Sequence, residues 1–366
     1  MIRIGGLTIH GRTLCAPFSG ISNMPFRVLA RKHGAALVFT EMVKARPWVD
    51  GNTTRTHHMI AHDEGERPVF AQIATGEVEE ARRITQLVYE AGFDGIDLNM
   101  GCPVKKISKS KCGAYLLGHP ELVSEIVSAM EAVASSFRTE TRPFPVTVKT
   151  RAGLSAEHVN AMEIAHRVQD AGGAAITIHA RTKDQVHSGA TKRDVVAAVK
   201  QSLQIPVFFN GGVNSPQIAD EVMRDTGADG VMIGRASFGN PWIFGRVEDM
   251  ITHRKLNLAA PTLAELKDTM TWHFGAVRKL FGDATACRLM RKYGCWYITG
   301  VHSGAQFRHA VSRLESPDQF AEVVEQVFAP WPADAPAPLA EWYDAESLSR
   351  TPDESWLTNR GVPVVE

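Results

Sequence analysis

Gly95-Ile96-Asp97-Leu98-Asn99-Met100-Gly101-Cys102-Pro103 runs from a short apolar segment straight into a glycine/proline turn that carries a thiol. A buried structural cysteine belongs inside such a run. Here the turn exposes backbone and sulfur together, and Lys105-Lys106 add positive potential beside them. On chemistry alone Cys102 is a candidate for catalysis or ligand contact; the plain alternative is a small residue filling a tight loop.

The same pattern, an apolar run with a polar end, repeats along the first 250 residues. Candidate strands lie at 12–16, 36–40, 68–73, 95–99, 145–150, 175–179, 205–210 and 230–234. Longer segments of helical spacing separate them: Ala81, Ile84, Val88 and Ala91 share one face, as do Ala161, Ile164, Ala165 and Val168. Gly92, Gly172 and Gly227 end such segments where a left-handed cap favours glycine. Eight strands with intervening helices favour an α/β fold closed as a TIM (β/α)8 barrel over an open doubly wound sheet. No GxGxxG follows the first strand, which weakens the dinucleotide-binding alternative.

A TIM barrel builds its site at the C-terminal ends of its strands. Those ends carry Pro17, Glu41-Met42, Gln72, Asn99 with Cys102, Lys149 with Arg151, His179 with Arg181, Asn210-Gly211-Gly212, and Gly234-Arg235. Any one of them can be structural, but eight polar ends converging on one face are hard to read as core. The last two suggest a phosphate: glycines let backbone N–H groups approach it, and arginine supplies a charged fork. Ser215 is placed to cap the following helix, with Pro216 at its first position. Lys149 follows the apolar Pro145-Val146-Thr147-Val148 and needs a polar mouth or an anionic partner. A Schiff-base lysine, a lysine beside a flavin and a snorkelling lysine all remain open here, and with them an aldolase or a phosphosugar isomerase.

The polar stretch around 52–66 holds His57, His58 and His62 and is expected to be a loop or short helix at the barrel mouth; the histidines lack convincing metal-ligand spacing. No metal is expected. From Pro261 to Phe328 the strand signal disappears. Leu263, Leu266, Met270, Phe274 and Val277 form a helical stripe, and 284–293, 303–314 and 317–328 look similar. The expected organisation is a catalytic barrel over 1–250, a helical domain over 251–328 and a Pro-rich acidic tail over 329–366, with Trp331, Trp342, Tyr343 and Trp356 available to pin parts of the tail back.

The chain's 366 residues fit a barrel of roughly 250 residues plus an appendage. No segment approaches the ~18 apolar residues of a membrane span. The start, MIRIGGLTIHGRTL, lacks the apolar region of a signal peptide, so a cytoplasmic location is expected. Cysteines 15, 102, 112, 287 and 295 read as reduced thiols. The 40 basic and 40 acidic side chains cancel, yet the segment from Pro330 holds seven carboxylates against two arginines, leaving the body mildly basic. That permits nucleic-acid binding without establishing it.

Taken in order, the motifs resemble the tRNA-dihydrouridine synthase family, particularly its bacterial B-type branch, over roughly residues 8–320. They are LCAPFSGISNMPFR at 14–27, TEMV at 40–43, AQIATG at 71–76, LNMGCPVKKI at 98–107, VKTRAG at 148–153, ITIHARTK at 176–183, PVFFNGGV at 206–213 and GADGVMIGRASFGNPWIF at 227–244. CRLMRKYGCWYITG at 287–300 looks like the family's helical-domain segment. The resemblance implies an FMN enzyme that uses NADPH, or less preferentially NADH, to reduce the C5–C6 double bond of particular tRNA uridines. The target base must be extruded from folded RNA to be reached.

For single residues the resemblance implies the following. Cys102 protonates C5 while a hydride reaches C6 from the opposite face. Ala16, Pro17 and Phe18 place backbone beside the flavin, Gln72 addresses its polar edge, and Lys149, with His179 nearby, supports negative charge near N1 and O2. Asn210, Gly211, Gly212, Gly234 and Arg235 hold the FMN phosphate. Asn99 and Arg181 address the uracil or its surroundings, and Arg151 belongs with the substrate and tRNA contacts. Lys105, Lys106 and Lys109 contact tRNA backbone or order the cysteine loop, and Arg288, Arg291 and Lys292 form a basic helical patch for tRNA, which Arg308 and Arg313 extend. Two positions depart from the B-type motif: Gly212 stands where aspartate is common, and Phe18 where methionine is usual. No membrane attachment and no stable protein partner are expected.

Overall fold

All eight apolar runs form strands, and all eight pair in parallel. In the computed structural model they are β1 (Thr13–Cys15), β2 (Val38–Phe39), β3 (Val69–Ala74), β4 (Gly95–Asn99), β5 (Val146–Gly153), β6 (Ala175–Thr182), β7 (Val207–Asn210) and β8 (Gly230–Ile233). The structure describes residues 1–52, 57–257, 259–298 and 304–337. The strands are ordered β1-β8-β7-β6-β5-β4-β3-β2. The ring closes just before β2, where Cys15 N–H donates to Leu37 O at 2.9 Å and Ala36 N–H to Thr13 O at 2.7 Å. This is the expected TIM barrel.

Seven helices flank the strands: α1 (Met24–Lys32), α2 (Val78–Glu90), α3 (Pro120–Phe137), α4 (Ala161–Asp170), α5 (Arg193–Ser202), α6 (Pro216–Thr226) and α7 (Ile243–His253). Their apolar stripes decide which face is buried. Ala81, Ile84 and Val88 of α2 are fully buried, as are Ala161, Ile164, Ala165 and Val168 of α4. Ser215 Oγ accepts the Ile218 N–H at 3.1 Å and caps α6, and Gly227 ends it at φ +64°. Between β2 and β3 the full helix is replaced by the short Ala45–Val49 and His57–Ile60 segments, the latter in the stretch expected to be a loop or short helix.

An N-terminal hairpin is among the elements that escape the sequence reading. Ile2–Ile4 pairs antiparallel with Leu7–Ile9, and Ile4 and Ile9 pack with Leu14, Phe39, Phe70, Phe208 and Met232. This hairpin closes the barrel floor at the strands' N-terminal side, its turn lying against Pro143, Pro145 and Ala174. Strands of three residues are too short to show alternation.

Arg27 and Glu66 form an ion pair whose side chains are both 0% exposed. Arg27 also donates to Ser22 O at 2.8 Å and Ala61 O at 2.7 Å. The pair ties α1 to the segment before β3. Removing one partner strands a charge in the core, so Glu66→Ala is expected to cost about 3–5 kcal/mol in urea unfolding. Replacing both residues by apolar ones is expected to cost clearly less.

The chain divides into two compact units: residues 1–234 with 244–255, and residues 235–243 with 256 onward. The second contains α8 (Leu263–Phe281), α9 (Asp283–Tyr297), α10 (Gly304–Val311) and α11 (Pro317–Phe328). Its core gathers the Leu263, Leu266, Met270, Phe274 and Val277 stripe with Met290, Tyr293, Phe320 and Val324. Thr262 and Glu265 form a reciprocal capping box at the start of α8. The first part of the Pro-rich tail folds back there: Leu263 N–H donates to Ala335 O at 2.9 Å and Ala264 N–H to Ala333 O at 3.0 Å. Two of the N–H groups that a helix start leaves unsatisfied are thus paired. Ala337 is 2% exposed and Trp331 39%, so backbone hydrogen bonds and a buried alanine anchor this part of the tail. Trp342, Tyr343, Trp356 and the acidic remainder of the tail lie outside the described residues. Among the described residues no helix is long and apolar enough to cross a membrane.

Candidate active site at the C-terminal strand ends

Strand register assembles the site. Gln72 of β3 lies opposite Asp97 of β4, Asp97 opposite Thr147 of β5, Asn99 opposite Lys149, Arg151 opposite His179 of β6, and His179 opposite Asn210 of β7. Inward-pointing residues of neighbouring parallel strands therefore meet, and above the apolar floor they are polar. Asp97 Oδ2 accepts Gln72 Nε2 at 2.8 Å, and Oδ1 accepts Thr147 Oγ1 at 2.7 Å. Gln72 Oε1 accepts Asn99 Nδ2 at 2.8 Å. Lys149 Nζ donates to Asn210 Oδ1 at 3.0 Å, while Asn210 Nδ2 donates to Met232 O at 2.9 Å.

The cysteine turn is held from several sides. Asn99 Oδ1 accepts the N–H groups of Gly101 at 3.2 Å and Cys102 at 3.0 Å. Met100 N–H donates to Lys149 O at 2.8 Å, and Cys102 O accepts Ala114 N–H at 3.0 Å. Gly101 O accepts Arg151 Nε at 2.6 Å. The Arg151 guanidinium also donates to Thr182 O at 3.1 Å and Val186 O at 2.6 Å, and the residue is 2% exposed. The thiol packs, partly buried, against Ala74, Ile107 and Cys112.

Two glycines permit this packing. A Cβ on Gly76 would stand 2.2 Å from Lys111 O, and one on Gly113, at φ +63°, would stand 2.9 Å from Cys102 O. Neither figures in the sequence expectations; only the closing G of AQIATG hinted at the first.

Burial governs the electrostatics. It raises the Cys102 thiol above its ordinary value, against the Val104 N–H and the charges of Arg151 and Lys149, so the sulfur keeps its proton at neutral pH. It brings Lys149 down to about 8, helped by the nearby Arg151 charge and opposed by Asp97. His179 is driven well below the usual histidine range by burial and then by Lys149 and Arg151, so its imidazole is neutral. Asp97 is raised to about 6, chiefly by burial.

On the other side, Gly211 and Gly212 follow β7 with φ of +117° and +71°. A Cβ on Gly211 would lie 2.8 Å from His179 Cδ2 and 3.4 Å from Arg181 Nη1, and one on Gly212 would lie 3.8 Å from Arg181 Nη2. The Arg181 guanidinium, expected at the uracil, thus lies against the glycine loop. Asn210, expected at a phosphate, turns its side chain to Lys149. Ala16 N–H donates to Ile233 O at 2.9 Å, and the Phe18 ring lies 2.9 Å from where a Gly234 Cβ would stand. Pro17 lies between them in the chain. Arg235 opens the short 3-10 turn Arg235–Ser237, which falls in the second unit.

A cleft of about 590 Å³ begins beside Pro103. Lys105, Ser108 and Lys109 form one wall, and Lys183, Asp184 and Val186 form the other. None of these lysines is in an ion pair among the described residues. Lys106 is exposed on the same short helix, Lys105–Lys109. In the helical unit Arg288 is exposed, Arg291 Nε donates to Leu314 O at 2.9 Å, and Lys292 lies over the rings of Tyr293 and Trp296 at 5.3 and 5.5 Å.

Comparison with known proteins gives a consistent picture. The dihydrouridine synthase (Dus) family model matches residues 14–330. A tRNA-dihydrouridine synthase B of Xanthomonas campestris pv. campestris is 36% identical over 338 residues, covering 92% of this chain and 99% of the relative. Those of Pseudomonas aeruginosa and Salmonella typhimurium are 34% and 35% identical, covering 90% and 89% of this chain and 96% and 99% of the relatives. Among solved structures, the 6-hydroxypseudooxynicotine amine oxidase of Pseudomonas geniculata N1 aligns with a TM-score of 0.51 at 13% identity, over 74% of this chain and 52% of that one. At that identity the likeness concerns the fold alone.

Proposed function

The chain belongs to the dihydrouridine synthase family, in its bacterial B-type branch, and on that premise we propose that it reduces the C5–C6 double bond of particular tRNA uridines with FMN and NADPH or NADH. The observation that carries this reading is the setting of Cys102: a protonated thiol on a turn pinned over a polar barrel mouth. A nucleophile or metal ligand needs the thiolate, whereas a proton donor needs the thiol. Cys102 protonates uridine C5, and solvent recharges it.

The residues present fit FMN. Lys149 is a partly buried ammonium whose hydrogen bond goes to a neutral amide, which suits a ring edge that gains negative charge. Gly211 and Gly212 leave backbone open for a phosphate beside Arg181, and Gly234 has no side chain to displace Phe18. When bound, FMN supplies the hydride to C6. The neutral imidazole of His179 offers a hydrogen bond without a competing charge, and Ala16, Pro17 and Phe18 supply a backbone wall. Arg235 stays a proposed phosphate ligand on its sequence position alone. Gln72 and Asn99 each spend both amide ends on neighbours, so their part is to hold the floor and the cysteine turn.

For tRNA, the cleft walled by Lys105, Lys109 and Lys183 supplies unpaired positive charge beside the thiol, with Lys106 next to it and Arg288, Arg291 and Lys292 as a second basic surface. The test is incubation of flavin-loaded enzyme with unmodified tRNA and NADPH, followed by mass spectrometry of nucleosides. Site-specific dihydrouridine is expected; none, from enzyme that retains flavin, contradicts the reading. Changing Lys105, Lys109 and Lys183 together to glutamate is expected to weaken tRNA binding by 100-fold or more (roughly tenfold per 1.4 kcal/mol) while flavin absorbance is kept. The slope of log affinity against log salt should also become shallower, by about 0.9 for each duplex phosphate that is no longer neutralised.

A further inference from the structure

Asp97, Gln72 and Asn99 form one hydrogen-bonded line, and its direction can be read from its buried end. An ionised carboxylate only accepts hydrogen bonds. Asp97 therefore takes the Nε2 proton of Gln72, which leaves Gln72 Oε1 to receive Asn99 Nδ2. Asn99 Oδ1 is then the atom that faces the N–H groups of Gly101 and Cys102. Each amide has its orientation decided by the one before it. If one reversed, the Asn99 amine would face two N–H donors and both bonds to the cysteine turn would break. The line is closed off from water: Asp97 and Gln72 are 1% exposed and Asn99 8%.

We propose that Asp97 is a positioning residue for the reaction: its carboxylate sets the direction of the Gln72–Asn99 line and so fixes the backbone that presents the Cys102 thiol. Thr147 holds the other carboxylate oxygen, and Thr40 Oγ1 accepts the Gln72 N–H at 2.9 Å. The inference rests on the reading of Cys102 as proton donor.

It has a pH signature. A neutral Asp97 carries an O–H that can donate to a reversed Gln72 amide, so the line loses its single direction on protonation. Burial raises this carboxyl to about 6, while the Gln72 and Thr147 hydrogen bonds and the Lys149 charge hold it down. Of the other groups around it, Lys149 titrates near 8, His179 is neutral, Arg151 stays charged and the Cys102 thiol lies high. The rate is therefore expected to rise with pH through about 6. Stability runs the other way. The folded pKa lies above the ordinary 3.8, so this group's stabilisation is full below 3.8 and is lost as pH rises to about 6.

The experiment is single-turnover uridine reduction by pre-reduced holoenzyme at saturating tRNA, from pH 5 to 8, for wild type, Asp97→Asn and Thr147→Val. Asp97→Asn is expected to keep FMN and tRNA affinity, to lower the rate by roughly 10–100-fold, and to abolish the acid limb. Thr147→Val removes a bond that favours the carboxylate, so its limb is expected to move to higher pH. Should Asp97→Asn not fold, Thr147→Val decides. A wild-type rate without a limb near 6, or a limb that Thr147→Val leaves in place, overturns the role of Asp97. A wild type that reduces no uridine at any pH overturns the reading of the reaction instead.

Discussion

Replacing Cys102 by alanine is expected to lower single-turnover uridine reduction by roughly 10²–10⁴-fold, the range lost with a general acid, while flavin content and tRNA affinity stay within twofold. The size follows from what is removed. The thiol is the group at the turn that burial keeps protonated, and on the proposed reading it reaches C5 because Asn99, Ala114 and Arg151 fix the backbone on either side. The separation of effects follows from packing: Cys102 rests against Ala74, Ile107 and Cys112, and alanine removes only the sulfur from that contact. A loss of flavin equal to the loss of rate would mean that Cys102 shapes the cofactor site and not the proton path.

Arg151→Leu is the second large effect. Arg151 is nearly buried, and its guanidinium serves three carbonyls, at Gly101, Thr182 and Val186. Leucine leaves those acceptors without donors, at about 1–3 kcal/mol for each that stays buried, and frees the turn from β6. The expected result is a stability loss of about 3–5 kcal/mol by urea unfolding together with a 10–100-fold lower rate at saturating tRNA, on the scale of a small misplacement at a reacting centre. The salt dependence of tRNA binding should not change. Had Arg151 been a phosphate ligand, the slope would drop by about one. Lysine is not expected to rescue it, because one ammonium cannot replace a fork aimed at three carbonyls.

The sequence expectation put Arg151 with the tRNA ligands, and the reason for the difference shows what a sequence conceals. VKTRAG ends an apolar run, so its charges read as mouth-facing. Nothing in the spacing says that β5 continues to Gly153 and turns the guanidinium onto carbonyls. Arg181 and Asn210 shift for the same reason: their strands are legible, but their hydrogen-bond partners come from residues 8 and 61 positions away.

Strand positions and the polar ends were readable because each barrel strand is a local apolar run and the fold places all their ends on one rim. The buried carboxylate of Asp97 was not, since Gly-Ile-Asp-Leu-Asn reads as strand and only register reveals that Gln72 and Thr147, 25 and 50 residues away, meet it. The floor hairpin and the docking of Ala333, Ala335 and Ala337 were hidden too, being made by backbone and small side chains that leave no periodic trace.

The central claim is tested most directly by mapping dihydrouridine across all tRNAs of a strain lacking this chain, complemented with wild type or with Cys102→Ala. The account predicts that dihydrouridine disappears from a defined tRNA position on deletion, returns with wild type, and stays absent with Cys102→Ala although that variant is made and binds flavin. Unchanged dihydrouridine on deletion, in a strain with no redundant enzyme, or full restoration by Cys102→Ala, would contradict it.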